Sequence, residues 1–307
     1  MVKALVISVI EGLDVKRLPY LFIIPTIVVL LLVEGYPIVY SIYLSLTEFN
    51  PATSEPVFIG LDNYVRMVSD GNFWISLRVT LLYVFGSVSL AFILGLSFAV
   101  LLFRDFEYRK RLQTVLILPL AISPLIAGVF FSPAAIWDDI NVVLKFVLGL
   151  PMVDVRNANF AFSLIIVADA WLWAPLFMLV FLSVLQSISK ETFEAAEIHG
   201  ASSFQIFKRV TFPLIIRSPV TFVIITIRTI DAFRSFEIPF TWSGWIGAES
   251  LGSPIDTLSL FMYKLLLFPT YGTPFSYIAT IALTMLGISL AITAVLIKFS
   301  NSLWERN

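Results

Sequence analysis

The sequence predicts an all-α, polytopic membrane fold with about six transmembrane helices and both termini on the cytoplasmic side. Three observations predict it. The 307 residues are 59% hydrophobic and 13% charged, with a mean hydropathy of +0.93, whereas a soluble domain carries roughly a quarter charged residues. The apolar runs are long enough to cross a bilayer, which takes about 20 residues of helix. The basic residues also concentrate in alternate connections, the pattern of loops retained in the cytoplasm.

Composition excludes several classes. There is no cysteine and only one histidine, so disulfides, thiolate metal sites and a His-rich metal centre are ruled out. No Gly-x-x-x-x-Gly-Lys-Ser/Thr cradle occurs, so ATP hydrolysis by that route is not expected of this chain. No pair of His, Asp or Glu residues has the spacing of a membrane-embedded metal or acid–base enzyme. No metal site and no nucleic-acid partner are expected.

In chain order, residues 1–17 read as a cytoplasmic leader, with a short apolar run followed by Glu11, Asp14, Lys16 and Arg17. A membrane-embedded core is expected to fill 18–307. Its spans are expected at about 18–46, 79–103, 115–137, 160–185, 212–233 and 275–299. Pro25, Glu34 and Pro37 interrupt the first, and Pro119, Pro124 and Pro133 the third. Such prolines are tolerated where neighbouring helices or side chains satisfy the freed carbonyls. Outer loops are expected at 49–78, which is polar, at 138–159, and at 234–273, which is long, aromatic and glycine-containing.

Orientation follows from Lys and Arg. The leader holds Lys3, Lys16 and Arg17; the connection after the second span holds Arg104, Arg109, Lys110 and Arg111; the 190–211 loop holds Lys190, Lys208 and Arg209. The other side holds only Arg66 and Arg78, Lys145 and Arg156, Arg234 and Lys264. Both termini and the 190–211 loop are therefore expected inside.

That loop organises the chain. Glu194, Ala195 and Ala196 favour helix, Gly200 is placed to end it in a left-handed conformation, and Ala201 to Arg209 restarts one. Phe204 and Phe207 fall on one face, beside Lys208 and Arg209. Glu194-Ala195-Ala196, Gly200 and Val210-Thr211-Phe212-Pro213 resemble the cytoplasmic coupling loop of ABC importer permeases, with Val and Phe where Ile and Leu are usual. Three more stretches resemble the carbohydrate-uptake branch of that family: Tyr36-Pro37 with Ser41 and Ser45; Phe58-Ile59-Gly60-Leu61-Asp62-Asn63-Tyr64; and Arg228 to Phe236. Two departures, Thr241 to Gly247 and Tyr271 to Phe275, fall where a solute-binding protein would dock.

The resemblance implies a non-catalytic cell-membrane subunit that pairs with a second, homologous permease chain in the lipid bilayer. Two ATP-binding subunits would hold ATP and Mg, so no cofactor is expected in this chain. An extracytoplasmic solute-binding protein would deliver a sugar. Polyol phosphate or amino acid import, and a stand-alone secondary carrier, are the alternatives. Glu194 and Glu197 would offer charge to the ATPase; Ala195, Ala196 and Ala201 would allow close approach; Gly200 would set the interhelix angle; Phe204 and Phe207 would be apolar anchors.

Ionisable residues within spans are costly and face a cavity or each other. Asp169, Trp173, Arg228, Asp231 and Thr280 are the candidates to line a passage, since aromatic faces and carboxylates suit sugar rings. The same charges could instead form an interhelix ion pair, Arg228 with Asp231 or Asp169, that holds the bundle together.

Overall fold

The computed structural model describes residues 18–49, 55–246, 250–267 and 274–304. The 1–17 leader, Gly247 and residues 271–273 lie outside them. Four helical runs are long and apolar enough to cross a membrane: Ile23–Ser45, Gly71–Phe103, Ala158–Ser187 and Phe275–Ser300. Two bent pairs, Arg109–Ala121 with Pro124–Phe130 and Ser203–Arg217 with Pro219–Ser243, bring the number to six if each counts as one span.

The chain divides into two compact units, one of Met1–Met67 with Gly272–Leu283 and one of Val68–Tyr271 with Thr284–Asn307. In the first unit, α1 (Leu18–Leu30) passes through a π turn (Leu31–Gly35) into α2 (Tyr36–Ser45). Pro37 has no amide to bond the carbonyl four residues back, and the helix widens immediately before it. A two-residue antiparallel ladder, β1 (Thr47–Glu48) with β2 (Val57–Phe58), leads to α3 (Asp62–Ser69).

The Phe58 to Tyr64 stretch works as a clasp on the end of α2. Gly60 takes φ +66, which a side chain would strain, and its amide reaches Leu46 O at 3.1 Å. Buried Asn63 donates from Nδ2 to Ser45 O at 3.0 Å and to Thr47 O at 2.8 Å. The Tyr64 hydroxyl donates to Ser45 Oγ at 3.1 Å. The start of the last helix joins this unit: the Phe275 amide donates to Phe49 O at 2.9 Å, and the Arg66 guanidinium lies 4.8 Å from the Tyr277 ring centroid.

The second unit is built on α4 (Gly71–Phe103) and α8 (Ala158–Ser187), which make its most extensive helix contact. Asp70 caps α4 by accepting from the Asn72 amide, and Asn157 caps α8 by accepting from the Asn159 amide. Small residues set the separation. Ala91, Gly95 and Ala99 share the core with Ala170, Phe177 and Met178, and a methyl on Gly95 would lie 2.3 Å from Phe177 Cβ. Without a water-driven hydrophobic effect between helices, close packing of this kind is what holds membrane bundles together. Phe92 meets Phe181 edge-on at 4.9 Å.

Two expected spans are broken rather than straight. The third is α5 (Arg109–Ile117), a 3-10 turn (Leu118–Ala121) and α6 (Pro124–Phe130), bent by 102°. The fifth is α11 (Phe212–Arg217) and α12 (Pro219–Phe233), bent by 64° within the longer pair. The cause is shared: Pro124 and Pro219 hold the preceding serines extended, Ser123 at ψ 148 and Ser218 at ψ 132. The second helix starts at Gly71 rather than Val79. The 138–159 connection carries α7 (Asp138–Phe146), entered by a π turn (Pro133–Trp137). The 234–273 connection carries α13 (Glu237–Ser243) and α14 (Leu258–Leu267), and α15 (Phe275–Trp304) follows. Within α14, buried Lys264 donates from Nζ back to Asp256 Oδ1 at 2.5 Å and to Ser250 O at 3.1 Å, both ahead of the helix. Burial outweighs the pull of Lys264 and raises the Asp256 carboxyl above its ordinary range.

Candidate functional site: the Glu-Ala-Ala loop and the charge ladder

The 190–211 segment folds as two short helices joined at one glycine. The first, α9 (Lys190–Ile198), ends at Gly200 with φ +73. The Gly200 amide donates to Glu197 O at 2.8 Å and the Ala201 amide to Ala196 O at 3.0 Å. This paired closure satisfies the last carbonyls and fixes the exit direction. The second helix, α10 (Ser203–Ile206), opens with a reciprocal cap: Ser202 Oγ accepts from the Gln205 amide and Gln205 Oε1 accepts from the Ser202 amide. A π turn (Phe207–Thr211) carries the chain into α11.

Glu194, Ala195, Glu197 and Gly200 are exposed, and Ala196 and Ala201 are half-buried. The two phenylalanines diverge. Phe204 is 71% exposed, whereas Phe207 packs against the α4–α8 core and meets the Phe212 ring at 6.0 Å. Sequence reasoning missed two neighbours. Phe193 meets the Phe103 ring at 5.4 Å, tying α9 to the end of α4. Ile198, on the last turn of α9, is 84% exposed. The signal for Ile198 was present: it stands four residues after Glu194, on the same face.

The second site is a chain of charges rising from the core to an open cavity. Arg228 on α12 has a side chain 1% exposed and pairs with Asp169 on α8, itself 3% exposed. Arg228 Nη1 also donates to Asp231 Oδ2 at 2.8 Å, and Asp231 Oδ1 lies 3.6 Å from Arg234 Nη2. Exposure climbs along the ladder, to 33% at Asp231 and 71% at Arg234. Two carboxylates and two guanidiniums balance, which a low-dielectric site requires. The Trp173 ring underlies Arg228, with the guanidinium carbon 4.9 Å from its centroid.

The structure thus makes the interhelix pairing weighed from the sequence, and Asp231 is one of three ladder members, with Asp169 and Arg234, that border an opening. The opening, a cavity of about 240 Å³, is lined by Pro124, Asp169, Trp173, Asp231, Arg234, Ser235 and Glu237. Ser235 and Glu237 were not expected there, nor was the buried Tyr83 behind the lining, whose hydroxyl meets Ser235 Oγ at 2.9 Å. Nothing in the pattern around Tyr83 announces it. Trp171 turns away and stacks on Phe130 at 6.0 Å. Thr280 belongs to the first unit, where it is buried and donates to Ser276 O at 2.9 Å.

The family of these elements is decided by comparison with known proteins. Residues 91–300, which carry both the loop and the ladder, match the model of the binding-protein-dependent transport system inner membrane component. The chain belongs to that family. Similar members include the trehalose/maltose transport system permease protein MalF of Thermococcus litoralis, 35% identical over 81% of this chain and 84% of that protein. The arabinooligosaccharides transport system permease protein AraP of Halalkalibacterium halodurans is 35% identical over 74% of this chain and 72% of that one. The fold is similar to a chain of a bacterial ABC transporter involved in alginate import, with a TM-score of 0.72 at 21% identity, covering 94% of this chain and 97% of that one. As a family member with several membrane-length helices, the chain is a multi-pass inner-membrane protein.

Proposed function

We propose that this chain is the transmembrane subunit of an ATP-driven importer that passes a sugar across the membrane with a second permease chain. Both termini and the Glu-Ala-Ala loop face the cytoplasm. There the loop meets one of two ATP-binding subunits, which hold ATP and Mg and carry out hydrolysis; this chain supplies no catalytic residue. A solute-binding protein delivers the sugar on the opposite side. The observation that carries this reading is the capped, glycine-hinged helix pair at 190–211, held to the core by Phe193 and Phe207 and presenting Ile198 and Phe204 outward.

A rigid pair of this kind transmits force. Closure of the ATPase around Glu194, Glu197, Ile198 and Phe204 moves α9, and Phe193 conveys that movement to α4. The half-buried Ala196 and Ala201 let the partner approach. Phe207 acts on the inner side, as the joint with the bundle rather than as an outward anchor. The sugar assignment is supported by the trehalose/maltose and arabinooligosaccharide permeases among the relatives. In the passage, Asp231, Glu237 and Arg234 offer hydrogen-bonding groups to hydroxyls, while Asp169 and Arg228 hold α8 and α12 in register, with Trp173 beneath them.

Phe204→Asp tests the coupling role. Because Phe204 is 71% exposed, the variant is expected to insert normally yet lose its ATP-binding subunit on purification in mild detergent. Undiminished co-purification of that subunit, with solute-stimulated ATPase activity intact, would remove Phe204 from the contact.

A further inference from the structure

Between α6 and α8 lies a segment that neither the loop nor the ladder uses. Residues 142–152, Val-Val-Leu-Lys-Phe-Val-Leu-Gly-Leu-Pro-Met, carry one charge. An apolar stretch of about 10–14 residues is too short to cross a bilayer and belongs either to a buried core or to the membrane interface. Burial decides between them. Val142, Val143, Phe146, Val147, Leu148 and Leu150 are all exposed, Phe146 at 75% and Val147 at 72%. A contiguous apolar surface of this kind marks a contact with something other than water.

The segment is held in shape. Asn141 grips the returning chain with both ends of its amide: Nδ2 donates to Val153 O at 3.0 Å, and Oδ1 accepts from the Val153 amide at 2.8 Å. Gly149 turns the chain at φ +65, and the Leu150 amide reaches back to Leu144 O at 2.8 Å. The result is a helical knuckle with an apolar tip. Asp138, Asn141, Lys145, Asp154 and Arg156 line an open cleft of about 580 Å³, to which Val142, Phe146 and Met152 also contribute, while Val147, Leu148 and Leu150 lie outside it. The Lys145 ammonium lies 5.4 Å from the Phe146 ring centroid, a cation over an aromatic face at the edge of the apolar tip.

The occupant is argued from continuity. The knuckle follows α6 across the Pro133–Trp137 turn, and Leu125, Ile126, Val129 and Phe130 of α6 form an exposed apolar row on one arm of a bent pair that is long and apolar enough to cross a membrane when counted as one span. It sits at the N-terminal end of α8, a helix of 30 residues and thus about 45 Å long, with α9 at the other end. We infer that α7 and residues 147–152 lie in the membrane interface as a lipid-anchored foot. Phe146, Val147 and Leu148 enter the leaflet opposite the Glu-Ala-Ala loop, and the foot steadies the broken third span at its outer end.

The chain contains no cysteine, so Phe146→Cys, Val147→Cys and Asp154→Cys can each carry a single environment-sensitive NBD label. The assembled transporter is placed in phosphatidylcholine nanodiscs with or without acyl-chain nitroxides. Labels at 146 and 147 are expected to emit blue-shifted light, to be quenched by the nitroxide lipids and to be shielded from aqueous iodide; the label at 154 is expected to show the reverse. Two positions guard against one variant failing to fold. Iodide quenching without nitroxide quenching at both 146 and 147 would overturn the inference. So would shielding that appears only when a solute-binding protein is added, which would assign the face to a protein partner.

Discussion

Gly95 and Gly86 lie on the same helix, and the structure predicts opposite outcomes when each is changed to alanine. At Gly95 a methyl carbon would stand 2.3 Å from Phe177 Cβ and 2.9 Å from both Ala174 O and Met178 N. Carbon atoms pack at about 3.5–4.0 Å, so α4 and α8 would have to part by roughly 1 Å, and two of the three obstacles are backbone. At Gly86 the nearest atom is Ile166 Cδ1 at 2.9 Å, the far end of a side chain that can change rotamer. Alanine in place of helical glycine gains up to about 1 kcal/mol, while overpacking a fixed contact costs roughly 1–3 kcal/mol. Gly86→Ala should therefore be neutral or slightly stabilising. Gly95→Ala should be net destabilising, by up to about 2 kcal/mol after the propensity gain is subtracted, because two of its three obstacles are backbone. Unfolding of the two variants in mild detergent, followed by tryptophan fluorescence and circular dichroism, measures the difference. Equal midpoints for both would refute the close approach of α4 and α8 as the determinant of this core.

Asp169→Asn leaves Arg228, whose side chain is 1% exposed, with only Asp231 as its ionic partner among the described residues, and breaking a buried pair costs about 3–5 kcal/mol. The thermal midpoint should fall sharply, whereas Asp231→Asn should cost less stability and act mainly on uptake at limiting sugar. Asp256 titrates with a defined sign. Its folded carboxyl is raised by burial, so the native state takes up a proton before the unfolded chain does. The stability contributed by this group rises as pH falls from the raised value towards the ordinary carboxylate range, and is lost as pH climbs back through it. Midpoints against pH should show that slope in the wild type and lack it in Asp256→Asn. At Gly200, φ +73 with no neighbour within 4 Å means that alanine meets strain rather than a clash, a cost of about 1 kcal/mol. Gly200→Ala should weaken ATPase coupling, and Gly200→Asn, better tolerated in that conformation, should recover part of it.

The sequence disclosed features that depend on local chemistry. Gly200 announced the left-handed turn because no other residue type there takes φ +73 so cheaply, and the three-residue spacing of Arg228, Asp231 and Arg234 announced a shared helix face. The span breaks were half legible. Pro119 and Pro124 were visible, yet a proline in a span signals a gentle kink as readily as the 102° bend observed, and neighbouring packing decides which. The Phe58 to Tyr64 stretch was recognisable as a motif, but its job as a clasp required seeing Asn63 reach Ser45 and Thr47 from across a turn. Phe204 and Phe207 looked equivalent at i and i+3; Phe207, the first residue of the π turn, packs half-buried against the α4–α8 core while Phe204 stays exposed. Tyr83 was silent because its partner, Ser235, is brought to it only by tertiary structure.

The central claim is that this chain imports its solute by the work of an attached ATPase acting through the Glu-Ala-Ala loop. It is tested most directly in proteoliposomes that contain this chain, its partner permease and the ATP-binding subunits, with ATP inside and a sugar-loaded binding protein outside. The account predicts uptake that requires both ATP and the binding protein, and that Phe204→Asp abolishes while leaving the chain in the membrane. Uptake driven by an ion gradient with no ATP present, by this chain alone, would contradict it.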